Sequence, residues 1–182
     1  MSVLVAYASR HGSTEGIARR IAATLTEQNR PALARSVLAV DGFSDHEAVV
    51  VGSAVQHALW LEEAVTFVRR FEDELAVRPV WFFSCGPLGV ERPDVISPPV
   101  WRVARPPDLT DLIQAVGARE HRVFHGALDP RTLGYRERAA RADPAVLDEL
   151  PAGDFRDWAE VDWWAQRLAR EMRWLCTRHP AR

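Results

Sequence analysis

Residues 9–16 read SRHGSTEG and concentrate groups that bind anions. Ser9, Ser13 and Thr14 carry hydroxyls, Arg10 and His11 add donors or positive charge, and Gly12 lets a ligand come close to the backbone. The apolar run SVLVAYA (2–8) precedes this stretch and reads as a strand buried on both faces. A helical stripe follows it, with Ile17, Ala18, Ile21, Ala22 and Leu25 on one side. A strand–turn–helix of this kind ends in free amide N–H groups and a partial positive charge, a setting suited to phosphate.

Three other uses of such a loop fail on residue type. A dinucleotide fingerprint needs GxGxxG, and only Gly12 and Gly16 are present. A triphosphate-binding P-loop needs a lysine, and all 23 basic residues are arginine. The lack of lysine also removes Schiff-base chemistry and a lysine general base. A phospho-acceptor receiver needs acidic residues after strand one, an aspartate after strand three and a lysine after strand five. Those places hold Ser-Arg-His, Gly52-Ser53 and His125-Gly126. What fits a hydroxyl-lined loop without a metal-binding carboxylate is a phosphate monoester.

The elements that must position this loop alternate along the chain. Strand patterns fall at 32–40, 47–55, 78–85 and 121–128, and helical patterns at 61–74 and 108–118. A last helix starts in GDFRDW, with Asp154 as the expected N-cap, and runs to about Cys176. Its apolar stripe is Phe155, Trp158, Val161, Ala165, Leu168, Met172 and Leu175, with Trp163 or Trp174 outside it as loop cover or a homodimer patch. Five strand–helix repeats predict one α/β domain over residues 1–182, with long loops near 86–107 and 129–153. The first of these loops holds six of the twelve prolines.

Composition narrows the class further. A formal net charge of −2 gives no reason to expect nucleic acid as a partner. Cys85 and Cys176 have no metal-ligand spacing and read as reduced thiols. No apolar run is long enough to span a bilayer, and no basic stretch precedes an apolar one at the start, so a cytoplasmic protein without a signal peptide or stable membrane insertion is expected.

The segment SRHGST resembles the flavodoxin phosphate loop, [ST]-x-T-G-x-T, with Ser9, Gly12 and Thr14 on its first, fourth and sixth positions and His11 where threonine is usual. The resemblance implies FMN as cofactor and a flavodoxin-like, three-layer, doubly wound sheet of five parallel strands in the order 2-1-3-4-5. It also implies two further loops around a flavin ring. After strand three, GSAVQHALW offers Ser53, Ala54, Val55, Gln56, His57 and Trp60, the last either stacked on the ring or shielding the core. After strand four, Ser84, Cys85, Gly86, Pro87 and Leu88 supply backbone groups to the ring edge, with Cys85 read as a small buried residue. The opening VLVAYASRHGSTEGIARRIA, VVVGSAV followed by His57, VFHGAL and DFRDWAEVDWWA are similar to the flavodoxin-domain family that includes quinone-linked protoporphyrinogen oxidase. In that family a membrane-linked member carries an apolar, basic insertion after strand five. Here the matching region, DPRTLGYRERAARADPAVLDELPAG, is charged and poor in large apolar residues, which argues against a membrane anchor.

The functional expectation is therefore an FMN-dependent oxidoreductase passing electrons or hydride to a soluble or quinone-like acceptor, with protoporphyrinogen oxidation as a related activity. The alternative is a flavodoxin-type electron-transfer or regulatory module without its own substrate, and a third reading, motivated by His11, is a domain that has lost flavin. No catalytic residue, donor or acceptor is legible, and no metal site is expected.

Overall fold

The computed structural model describes residues 2–56, 59–86, 109–140 and 152–178. Apolar, β-branched segments build the sheet: β1 (Ser2–Ala8), β2 (Ala32–Ser36), β3 (His46–Gln56), a two-residue β4 (Leu59–Trp60), β5 (Val80–Cys85) and β6 (His121–Phe124). The parallel strands lie in the order β2-β1-β3-β5-β6. With the β4 hairpin partner set aside, this is the 2-1-3-4-5 order the sequence implies.

Alternation along the strands feeds two apolar layers. Leu4, Ala6, Val49, Val51, Val80 and Phe82 face α2 (Glu62–Arg70), α3 (Glu72–Ala76) and α4 (Leu109–Val116). Val3, Val5, Val50, Trp81 and Phe83 face α1 (Ser13–Glu27) and α6 (Trp158–Arg178). Asp162 of α6 fastens the latter pair by accepting from the Arg20 guanidinium at 2.6 and 2.5 Å and from the Thr24 hydroxyl at 2.8 Å.

Several element boundaries differ from the sequence patterns. The second strand stops at Ser36, whose hydroxyl accepts from the Leu38 amide and turns the chain into a 3₁₀ turn. The helix expected over 61–74 breaks at Phe71 into α2 and α3. The fifth strand ends at Phe124; residues 127–128 instead form β7 (Ala127–Leu128), antiparallel to β8 (Gly153–Asp154). That ribbon brings together the two ends of the 129–152 excursion, which carries a helix, α5 (Tyr135–Ala140).

Asp157, not Asp154, starts α6: its side chain accepts from the Glu160 amide at 3.0 Å, while Asp154 is occupied by Arg156. Trp164 is fully buried in the α6 stripe, whereas Trp158, Trp163 and Trp174 are exposed. The guanidinium groups of Arg122 and Arg167 lie 5.9 and 5.7 Å from the Trp163 ring centre.

Candidate functional site

The sheet order changes direction at β1: the chain leaves β1 for β2 on one side, while β3 lies on the other. Ligands of open parallel sheets bind at such a switch, beyond the carboxyl ends of the strands. Residues 9–14 occupy that position.

Gly12 takes φ +84°, a left-handed conformation that a side chain disfavours, and stands as the cap of α1. It has no side chain to cap with, and no side-chain cap is made. The amides of residues 13–15 thus have no intrahelical acceptor, while the Gly16 amide already bonds the Gly12 carbonyl at 3.0 Å. The Ser9 hydroxyl braces the turn by accepting from the Gly12 amide at 3.1 Å. Thr14 is fully buried, and its Oγ1 has no hydrogen-bond partner of normal geometry. A buried hydroxyl without a partner costs free energy unless something binds it. The donor set, three first-turn amides and an orphan hydroxyl, fits a phosphate group.

Other residues of the region tie the loop in place. The Ser13 hydroxyl accepts from the Ala127 amide at 2.8 Å and meets the Cys85 sulfur at 3.3 Å, so α1, β5 and β7 converge there. Cys85 is buried, and burial pushes its thiol pKa up; the Ser13 and Thr14 hydroxyls beside it pull the other way. This is an inert thiol rather than a nucleophile.

The Arg10 and His11 side chains of the loop contact other elements. The Arg10 guanidinium donates to Gln56 Oε1 at 2.6 Å, which joins the loop to the end of β3. Arg10 Nε and His11 Nε2 also lie 3.5 and 3.2 Å from one carboxylate oxygen of Glu137 on α5.

The remaining expected ring contacts divide. Ala54, Val55 and Gln56 end β3 and are partly buried. Ser53 is wholly internal; its hydroxyl accepts from the Leu61 amide at 3.0 Å and donates to the Ala54 carbonyl at 2.8 Å. Trp60 packs in the core, tilted on Phe82 with ring centres 5.1 Å apart, and donates its indole N–H to Ser84 at 2.8 Å. Ser84 also pairs with His121 Nε2 at 2.8 Å, so its hydroxyl serves the interior. Gly52 sits under the Phe83 ring, where a Cβ would approach to 2.0 Å, so packing rather than a tight exit demands glycine. Gly86 follows β5 at φ +124°. His57, Pro87 and Leu88 lie outside the described residues. His125 is exposed.

Two residues near the loop escaped the sequence reading. Glu137 gave no local signal. Arg156 sits in DFRDW; Asp154 accepts from it at 2.8 and 2.6 Å, it stacks on Trp158 at 4.5 Å, and it lies against Gly16 in the first turn of α1. Among the described residues, no group of three or more metal-ligating side chains gathers, and no helix is long and apolar enough to cross a membrane.

A doubly wound parallel sheet in this order, with helices on both faces and an anion-ready loop at its switch point, defines a flavodoxin-like α/β protein. The chain belongs to the flavodoxin domain family, whose model matches residues 4–140. A search of curated proteins finds no match. Among solved structures, the chain is similar to rubredoxin:oxygen oxidoreductase from Desulfovibrio gigas, with a TM-score of 0.62, 15% identity, 94% of this chain and 36% of that one covered. It thus spans about a third of that protein. It is also similar to a flavodoxin from the domain Archaea (TM-score 0.57, 17% identity, coverage 95% and 99%) and to a mutant of flavodoxin from Pseudomonas aeruginosa (TM-score 0.54, 16% identity, coverage 93% and 97%). At these identities the likeness shows the fold.

Proposed function

We propose that the chain binds FMN, with the phosphate in the loop 9–14, and transfers electrons or hydride between a donor and a soluble acceptor. The observation that carries the reading is the uncapped start of α1 beside the buried, unpartnered hydroxyl of Thr14. Family membership and the flavodoxin folds among its structural neighbours support it. FMN, when bound, supplies one- and two-electron redox chemistry; the protein supplies position and access.

The chain's own residues divide that work. The amides of residues 13–15 and the Thr14 hydroxyl would hold the phosphate, and Gly12 would let it approach. Ser9, Ser13 and Cys85 keep the loop in shape. The backbone of Ala54–Gln56, at the end of the neighbouring strand, would be available to the ring. Ser53, Ser84 and Trp60 act from behind, by fixing the strand ends that carry these loops.

Titration of FMN with the purified protein, followed by fluorescence quenching and by a red-shifted shoulder in the visible band, tests the reading. Saturable quenching, tighter for FMN than for riboflavin, is expected. Absence of any quenching overturns it. Protoporphyrinogen oxidation is the narrower reading, supported by sequence resemblance alone, of which DFRDW is the most specific part. Turnover of protoporphyrinogen by FMN-loaded protein with a quinone present decides that narrower reading separately.

A further inference from the structure

The Arg10 guanidinium and the His11 imidazole of the anion loop already face a carboxylate, and it comes from a distant part of the chain. One oxygen of Glu137 lies 3.2 Å from His11 Nε2 and 3.5 Å from Arg10 Nε. The other oxygen accepts from the Gly134 amide at 2.8 Å and so caps α5. That amide, with His11 and Arg10 beside the carboxyl, holds Glu137 below its usual pKa. Gln56 Oε1 also accepts from the Arg10 guanidinium, at 2.6 Å. The loop therefore offers a ligand neutral donors, the first-turn amides and the buried Thr14 hydroxyl, while the positive charge of Arg10 is balanced.

We propose that Glu137 is a specificity-determining residue of the anion loop: by balancing Arg10 and engaging the His11 imidazole it keeps the loop from holding small free anions, so that a phosphate is retained only when the rest of its molecule adds contacts elsewhere. The inference rests on the assignment of residues 9–14 as the phosphate site. A bare phosphate has only the loop to bind, so a carboxylate on the rim penalises it fully. A phosphate carried by a flavin meets the same penalty but recovers it through the ring.

Glu137→Gln tests this, because the amide oxygen still caps α5 while the charge is gone. The probes are FMN, riboflavin and inorganic phosphate, read by flavin fluorescence and calorimetry. In the unaltered protein, millimolar inorganic phosphate leaves FMN affinity unchanged once ionic strength is matched with chloride. In E137Q, FMN binds about two- to fivefold tighter, the range expected for an exposed pair, and inorganic phosphate now competes with it. Riboflavin affinity does not move. Adding Arg10→Gln to E137Q removes the gain, since the released cation is its source. The proposal is overturned if E137Q binds FMN equally or more weakly, if riboflavin shifts in parallel, or if the gain survives the double substitution. A wild-type protein that binds neither flavin refutes the FMN reading instead; calorimetry with inorganic phosphate alone then still compares E137Q with wild type, and no gain overturns the role of Glu137.

Discussion

The Thr14 hydroxyl is buried without a hydrogen-bond partner of normal geometry, so its removal should move folding and binding in opposite directions. Thr14→Val is expected to stabilise the ligand-free protein by about 1 kcal/mol, by relieving an unpaired buried group, and to weaken FMN roughly tenfold while sparing riboflavin. Thermal denaturation and paired flavin titrations check both; a lower melting temperature would show that the hydroxyl has a structural partner. The sequence makes the Ser9–Thr14 turn legible as a candidate phosphate site because the pattern is local: six consecutive residues between a strand and a helix carry it. Glu137 was invisible for the opposite reason. It follows His11 by more than a hundred residues, and only the fold brings the two to 3.2 Å. Trp60 illustrates a third case. A tryptophan after a strand can stack on a ligand or fill the core, and the hydrogen bond to Ser84 with the contact on Phe82 gives it to the core.

Two glycines separate rigid from yielding contacts at the level of elements. A Cβ at Gly52 meets the Phe83 ring at 2.0 Å inside the sheet, so Gly52→Ala should destabilise by about 3 kcal/mol. A Cβ at Gly16 clashes with the far end of the flexible Arg156 side chain at 2.5 Å and meets Trp158 at an ordinary 3.8 Å, so Gly16→Ala should cost far less, with propensity partly in its favour. Urea midpoints of the two variants give the comparison, and equal losses would contradict it. The α1–α6 contact carries an acid signature. Asp162 is held below the ordinary aspartate value of 3.8 by the Arg20 guanidinium and then the Thr24 hydroxyl. A carboxyl depressed in the folded state stabilises above its unfolded pKa and loses that contribution as pH falls through the folded value. Asp162→Asn should therefore lower the melting temperature at neutral pH, and the gap from wild type should close as pH drops below 3.8. A gap that stays constant into that range would show that packing, not charge, is at stake.

For the whole molecule, ligand binding and folding are linked: a ligand that binds only the native state raises stability by about 2.7 kcal/mol at a hundredfold excess over its dissociation constant. FMN should raise the melting temperature in proportion to the logarithm of its concentration, riboflavin less at equal concentration, and a shift that ignores FMN would remove the cofactor reading. The doubly wound order came from the resemblance to flavodoxins; by itself the sequence determined the alternation of strands and helices, the hydroxyl-rich turn at residues 9–14 and the lack of lysine chemistry. These are local or periodic properties: a run of valines, a 3.6-residue stripe and a glycine at a helix start declare themselves to their neighbours. The tertiary structure decided what distance in the chain concealed: the start of α6 at Asp157, the ribbon of β7 with β8, the commitment of Ser53, Ser84 and Trp60 to the interior, and the Glu137 carboxylate on the rim of the loop. Each of these depends on a partner from another element, and a side chain's hydrogen bonds are settled only by what the fold sets beside it.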